Sequence, residues 1–303
     1  MRRYCVCVPA RDEETHVPTL LEALVQQTLP GAVIVSLCVN NSRDRTAAVA
    51  RDVAARHRGR LDLRIDERTF ADDLAHAGSA RRAAMESGAD ALADPEAVLI
   101  STDADCRPPV DWIDAILAAI DDDSIVGGRI RLDDAEAVPA DILALRARFD
   151  RYWEIVRAIE DEVDPSPWDL PPRHGDHTGA SLALTVGLYR RAGGVPPIAT
   201  GEDRALVAAA QAVGGRLIHP ASVWTRTSAR ADGRAAGGMA DDMARLHAGV
   251  AARAEPLVPD FAHWRRRAHW RRDMRSSSAS ALGLAEAALP PMPHDMPLPG
   301  LDA

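Results

Sequence analysis

The chain has 303 residues, 47% of them hydrophobic, which suffices for one large packed domain or two small ones. Its formal net charge is −9 and all 36 of its basic residues are arginine, which argues against a general nucleic-acid binder with a basic face. Four cysteines, three of them inside apolar runs, argue against a disulfide framework or a zinc finger, and no segment approaches the roughly 18 apolar residues of a membrane span.

The N-terminal "YCVCVPA" is strand-like and is followed at once by "RDEE", so it reads as a first strand and not a signal peptide. "HVPTLLEALVQQ" spaces Val17, Leu20, Leu21 and Leu24 as one helical face. "AVIVSLCVNN" is a buried strand ended by polar residues, and "RTAAVARDVAARH" is a helix. "LDLRID" alternates like an edge strand, "GSARRAAMESGA" is helical, "AVLIST" is a fourth strand and "VDWIDAILAAI" another helix. Strands separated by helices in this way predict an α/β fold with a mostly parallel, doubly wound sheet and helices on both faces.

Beyond "IVGGRIRL" a long helix is expected from about Pro139 to Ile159, then a loop dense in proline and aspartate, "DEVDPSPWDLPPRHGDHTG". "ASLALTV" reads as a strand, "GLYRRAGG" as a short helix with a glycine stop, and "GEDRALVAAAQAVGG" as a helix with carboxylates at its N-terminus. "RLIHP" and "SVWTRT" are closing strands. The expected organisation is a main domain over 1–230, a helical extension over 231–278 and a Pro-rich disordered tail over 279–303.

In open α/β sheets ligands bind beyond the carboxyl ends of the strands. Here those ends supply Arg11 to Glu14 after the first strand, Asn40, Asn41 and Asp44 after the second, and Asp103 and Asp105 after the fourth. Two confined carboxylates repel unless one is protonated or a cation lies between them. A hard divalent ion, Mg²⁺ or Mn²⁺, suits such a pair and brings phosphates with it; the alternative is a turn cluster ahead of Trp112. No G-x-G-x-x-G follows a strand, and a P-loop is impossible without lysine.

Five stretches, "VPARDEE", "NNSRDRTAAVA", "AGSARRAAM", "TDAD", and "GASLAL" with "GLYRRAGGVPPIATGED", resemble in order and spacing the motifs of family 2 glycosyltransferases, over roughly Tyr4 to Arg230. The resemblance implies the GT-A fold and inverting transfer of a sugar from a nucleotide-diphosphate donor to an acceptor hydroxyl. It sets Pro9, Ala10 and Glu13 against the nucleoside, and Asn41 where many members carry a base-reading aspartate. Asn at that position is a departure that leaves the base open, because an amide both donates and accepts. Asp103 and Asp105 match the family's D-x-D, the first facing ribose or base and the second holding the metal. Arg81 or Arg82 falls where a basic residue often approaches the phosphates, with a solvated helix face as the alternative. Asp203 matches the catalytic base, with Glu202 beside it as a candidate nucleotide-sugar contact, although carboxylates also suit a helix N-terminus on dipole grounds alone. His219 is a candidate third metal ligand or a structural histidine, and Arg226 or Arg230 a candidate phosphate contact.

His174, Asp176 and His177 lie in a loop suited to acceptor recognition, a lid or a metal, or to nothing more than polar surface. The repeated H-W-R-R in "AHWRRRAHWRRDM" offers a peripheral contact with anionic lipid or a partner domain, or a helix packed through Trp264 and Trp270. The expected partners are a nucleotide-sugar donor and an acceptor that is a small molecule, a glycan or lipid-linked. A cytoplasmic location is expected. The competing functions are a non-catalytic nucleotide-sugar binding module and a sugar-phosphate nucleotidyltransferase; the latter would carry a G-x-G-T-R loop where this chain has "PARDEE".

Overall fold

A computed structural model describes residues 1–233, 238–278 and 282–301. In chain order the elements begin with β1 (Tyr4–Ala10), α1 (Val17–Val25), β2 (Val33–Asn40), α2 (Thr46–Arg56), β3 (Leu61–Arg68), α3 (Ala77–Leu92) and β4 (Val98–Ser101). They continue with β5 (Cys106–Arg107), α4 (Trp112–Ala119), β6 (Ser124–Gly127), β7 (Arg129–Leu132), α5 (Ala140–Val163), β8 (Leu182–Thr185) and α6 (Val186–Arg191). Next come α7 (Glu202–Ala212), β9 (Arg216–Ile218), β10 (Trp224–Thr227), α8 (Met239–Ala251), β11 (Leu257–Val258), α9 (Phe261–Ser278), α10 (Leu282–Ala287) and β12 (Met296–Pro297).

Two compact units divide these elements. The first comprises Met1–Glu136 and Asp176–Ala229 and holds a seven-stranded sheet of order β3-β2-β1-β4-β8-β6-β9 together with a three-stranded sheet of order β5-β10-β7. In the large sheet β3, β2, β1 and β4 run parallel, as does β9 beside β6, while β8 is antiparallel to both β4 and β6. β3 lies at the edge, as its alternating sequence predicts.

Every residue of β1 is buried, because a strand between two parallel neighbours and two helical layers has no solvent face. Cys5, Cys7 and Leu99 share a core with Ala80, Ala84 and Met85 of α3, Leu188 and Tyr189 of α6, and Leu206 and Val207 of α7. Val6, Val8 and Ile100, on the opposite face by the strand period of two, are fully buried as well. The four cysteines are free, buried thiols. Burial, helped to a smaller degree by Asp66 and opposed by Arg68, pushes the Cys38 thiol up to about 12.

The second unit comprises Ala137–Gly175, Arg230–Gly233 and, from 238 onward, the described C-terminal residues. α5 packs on α8 and α9, and its Leu145, Tyr152 and Val156 share a core with Val258 and Leu298. Tyr152 stacks on Phe261 with ring centroids 5.4 Å apart, accepts a hydrogen bond from Trp264 Nε1 at 2.6 Å and donates to the Pro259 carbonyl at 2.8 Å.

This arrangement departs from the expected organisation in two places. The long helix belongs with the C-terminal elements, not with the sheet, because its apolar stripe is matched by theirs; helical periodicity reveals an apolar face but not its partner. The expected disordered tail contains α10, and β12 within it pairs with β11 while Leu298 is buried, so part of that low-periodicity segment is anchored by a short ladder and one apolar side chain. Residues 279–281 and 302–303 of the tail lie outside the described residues.

Candidate active site

The loops after β1 and β2 are stitched together by the acidic residues that the sequence singles out. The Asp12 amide donates to Ser42 Oγ at 2.9 Å, and the Arg43 amide donates back to Asp12 Oδ1 at 2.7 Å. The Glu14 amide reaches Asp44 Oδ2 at 2.9 Å, the Arg45 amide reaches Glu14 Oε2 at 2.8 Å, and the Glu13 amide reaches Thr46 Oγ1 at 2.8 Å. Burial raises the Asp44 carboxyl, but hydrogen bonds from Thr46 and from the Glu14 amide outweigh it and hold the group below the usual carboxylate range. Asp12, Glu14 and Asp44 are therefore loop fasteners. Glu13 is buried with its Oε2 2.8 Å from His16 Nδ1, and Pro9 and Ala10 are buried at the end of β1.

Asn41 has a use of its own. Its backbone is left-handed, at φ +50°, a conformation that asparagine tolerates better than most residues. Its Nδ2 donates to the Phe70 carbonyl at 2.9 Å and its Oδ1 accepts from the Phe70 amide at 3.0 Å. An aspartate would accept from that amide but repel that carbonyl, so the amide in place of the family's acid matches a clamp on the loop after β3. Beside it Asn40 is 2% exposed, and its Nδ2 has no hydrogen-bond partner among the described residues. A buried donor left unpaired costs about 1–3 kcal/mol, which marks a place for an acceptor from water or ligand.

The D-x-D end of β4 answers its own charge problem through α3. Arg81 is 4% exposed and every nitrogen of its guanidinium is engaged. Nη2 donates to Asp103 Oδ1 at 2.8 Å, Nε to Glu202 Oε1 at 3.1 Å, and Nη1 to Ser101 Oγ at 2.7 Å and to the Gly179 carbonyl at 3.0 Å. Burial disfavours the charged guanidinium, but Asp103, Glu202 and Asp203 more than reverse this and fix the positive charge. Gly179 is required where it stands, since a Cβ there would lie 2.3 Å from Arg81 Cζ. The Gly179 amide in turn donates to Asp203 Oδ2 at 2.9 Å. One guanidinium thus ties the end of β4, the loop before β8 and the N-terminus of α7 into one cluster.

This cluster brings Asp103, Glu202 and Asp203 together, and it revises two expectations. Arg81 is not an open cation awaiting phosphate, because its donors are taken by protein acceptors. Glu202 is 6% exposed and faces Arg81, which makes it a counter-charge and not an evident sugar contact. Arg82 is held by the Val195 carbonyl at 3.0 Å and by Glu86 at 2.7 Å. Ser101 and Gly179 were not foreseen; their only signal was their place beside the "TDAD" and "GASLAL" motifs.

His219, expected as a third metal ligand, stands with its ring centroid 5.7 Å from that of His177, and the described residues contain no group of three or more His, Cys, Asp and Glu able to hold a metal. Asp103 and Asp105 therefore offer a carboxylate pair and not an all-protein cage. Such a pair fits a hard divalent ion whose remaining ligands are substrate phosphates and water. Asp105 is pinned through its backbone, its carbonyl accepting from the Ser228 amide at 3.1 Å. Asp176, in the first unit, accepts from the Ile130 amide at 2.9 Å, and His174 belongs to the second unit.

In the second unit the H-W-R-R segment is α9, and Trp264 packs against α5. Arg265 pairs with Glu162 at 2.9 Å, Arg275 with Asp164 at 2.8 Å, and Arg271 with Glu160 and Glu286. The packed-helix alternative accounts for these contacts. Among the described residues no helix is long and apolar enough to cross a membrane.

Comparison with known proteins bears on the large sheet and its cluster. The mannosyltransferase PcManGT from Pyrobaculum calidifontis, in complex with GDP-Man and Mn²⁺, matches with TM-score 0.54 at 19% identity over 95% of this chain and 80% of that one. Residues 1–349 of S. aureus TarS in complex with UDP match with TM-score 0.52 at 15% identity, over 95% of this chain and 75% of that one. The same protein with UDP-GlcNAc matches with TM-score 0.52 at 15% identity, over 93% and 75%. No curated protein matches the chain. At these identities the structural likeness establishes the GT-A fold, and the sequence supplies the rest. Residues 5–156, half of the chain, match the model of glycosyl transferase family 2, so the β1-to-α5 run that carries the stitched loops and the D-x-D is this family's own, and the chain belongs to that family as a glycosyltransferase.

Proposed function

We propose that the protein is a metal-dependent inverting glycosyltransferase that moves a sugar from a nucleoside-diphosphate donor to an acceptor hydroxyl, with Asp203 as the base. The observation that carries this reading is the Arg81 bridge, which joins Asp103 at 2.8 Å to Glu202 at 3.1 Å and so sets the donor-side carboxylates beside the helix that bears Asp203. Support for the donor class comes from the GDP-Man, UDP and UDP-GlcNAc held by proteins of the same fold.

In this reading the nucleoside lies over Pro9, Ala10 and the ends of β1 and β2, where Asn40 keeps an unpartnered amide donor. Asp203, held by the Gly179 amide, accepts the proton of the acceptor hydroxyl as that oxygen attacks the anomeric carbon from the face opposite the diphosphate. Asp105, with Asp103 beside it, would hold a divalent cation, Mg²⁺ or Mn²⁺, which when bound offsets the charge on the departing diphosphate. Arg81 does no chemistry; it fixes the spacing of the carboxylates by donating to both Asp103 and Glu202. The acceptor hydroxyl belongs to a small molecule, a glycan or a lipid-linked sugar. A cytoplasmic site of action accords with four reduced, buried thiols.

A positioned base contributes about 10²- to 10⁴-fold, so Asp203→Asn is expected to lower turnover by that order with donor affinity nearly unchanged. Asp105→Ala is expected to abolish Mn²⁺-dependent binding of UDP or GDP, read by calorimetry. Donor hydrolysis or transfer that survived both substitutions would remove the basis for this reading.

A further inference from the structure

The small sheet carries a face that the transfer scheme above does not use. By the strand period of two, Arg129 and Arg131 of β7 share a side with Trp224 and Arg226 of β10 and with Arg107 of β5, while Ile130, Thr225, Thr227 and Cys106 are buried on the other side. Arg131 is directly opposite Arg226, and Arg226 is directly opposite Arg107. Three arginines therefore form one rung across three strands. Like charges set opposite one another destabilise a sheet, and a chain of net charge −9 has carboxylates to spare for neutralising them.

The carboxylates that are present serve two of the three arginines, Arg107 and Arg226. Asp133 and Asp134 pair with Arg107, and Asp134 also lies 3.0 Å from Arg226. Arg131 is exposed, and no carboxylate among the described residues pairs with it. Instead its Cζ lies 4.4 Å from the centroid of the Trp224 ring, and Arg226 Cζ lies 4.6 Å from the same ring. Partial burial first, and then the positive charges of Arg129 and Arg226, lower the pKa of Arg131, as expected of a cation without its counter-charge. A guanidinium laid on an indole keeps its edge donors available, and that edge matches phosphate or carboxylate in a bidentate pair.

The face begins close to the transfer site. Asp105 is followed by Cys106, paired with Thr227, and then by Arg107 in the rung, so the rung starts about 7 Å along the strand from Asp105. Arg131 is two strand spacings across from Arg107, about 10 Å further. Together these steps set Arg131 roughly 12 Å from Asp105 along the backbone frame of the small sheet.

We infer that the Arg131–Trp224 face binds an anionic group of the acceptor, a phosphate or a carboxylate, and that the protein glycosylates a negatively charged molecule. The inference rests on the reading of Asp105 and Asp203 as the transfer site. The donor's diphosphate is the other source of the same chemistry, and the test separates the two.

The full chain, labelled with ¹⁵N, is titrated with inorganic phosphate, with malonate, and with potassium chloride at matched ionic strength, while the Trp224 indole resonance, assigned through Trp224→Phe, is followed. Separately, UDP and GDP binding with Mn²⁺ is measured by calorimetry. Phosphate or malonate is expected to shift the indole saturably where chloride does not. Arg131→Gln, an exposed change, should weaken that response at least tenfold and leave the nucleotide Kd within twofold. A response absent from the unmodified chain, or equalled by chloride, would overturn the site. Nucleotide binding weakened tenfold by Arg131→Gln would assign the face to the donor and overturn the acceptor assignment. Failure of the unmodified chain to bind either nucleotide, with the indole response intact, would instead overturn the transfer reading, and the acceptor assignment with it.

Discussion

Arg81 in the sheet unit and the arginines of α9 in the helical unit are the same side chain in opposite company. Arg81 is sealed from water among Asp103, Glu202, Ser101 and Gly179, so its hydrogen bonds act at low dielectric and each depends on the others. Arg265 pairs with Glu162 on an exposed helix face, where water and salt screen the attraction and two long side chains lose freedom to form it. Both pairs look alike as distances. Burial decides which of them organises a site and which merely lies on a surface.

Removal of Arg81 is expected to have the largest effect. Arg81→Met leaves Asp103 and Glu202 without their counter-charge, and breaking one side of a buried pair costs about 3–5 kcal/mol. A large fall in denaturation midpoint together with loss of activity is expected, and Arg81→Lys should recover only part of either, since one ammonium cannot reproduce a fork that serves four acceptors. Unchanged stability in Arg81→Met would show that the carboxylates relax without it. Gly179→Ala asks the same question through sterics: its methyl would sit 2.3 Å from Arg81 Cζ, and overpacking of this kind costs about 1–3 kcal/mol. Donor turnover should fall with it, because Asp203 is held by the Gly179 amide.

Acid sharpens the contrast from the side of the carboxylates. The Arg107 hydrogen bond holds Asp133 below its ordinary value, and Asp44 is depressed by its loop hydrogen bonds. With depressed values in the folded state, the unfolded chain takes up these protons first as pH falls. The stability they contribute is therefore complete above about pH 4 and is lost below it. Thermal midpoints between pH 6 and pH 3 should drop steeply at the acid end, and Asp44→Asn should flatten that drop. Smallest of all is the effect of Arg265→Ala, whose partner Glu162 is on the surface; the thermal midpoint should stay within error, and a clear drop would mean that α9 depends on its ion pairs more than on Tyr152 and Trp264.

Much of the sheet unit was legible because parallel βα units leave a strong record: buried runs such as "YCVCVPA" and "AVLIST" end in polar residues where the site must be. The strands, their helices and the positions of Asp103, Asp105 and Asp203 followed from that record and from the resemblance it carried. For Arg81 or Arg82 the sequence offers a phosphate contact or a solvated helix face, since it shows that a helix carries an arginine and not that a glycine 98 residues further on leaves room for the guanidinium of Arg81. Asn41 was read as a departure from its relatives in base recognition. The Phe70 backbone that pairs with its amide lies 29 residues away and leaves no local trace.

The long helix and the tail mark the same boundary between local and distant information. Periodicity fixed that Leu145, Tyr152 and Val156 share a face, because the helical repeat sets that regardless of context. Which elements would cover that face depended on Val258 and Leu298 arriving from the far end of the chain. By itself the sequence determined the α/β class, the family and the strand ends at which acidic residues gather, since these depend on repeats and order along the backbone. Tertiary structure alone decided which charges are buried together around Arg81, which acids are loop fasteners, and which arginines crowd one face of the small sheet, because burial and cross-strand register are properties of folded neighbours and not of sequence neighbours.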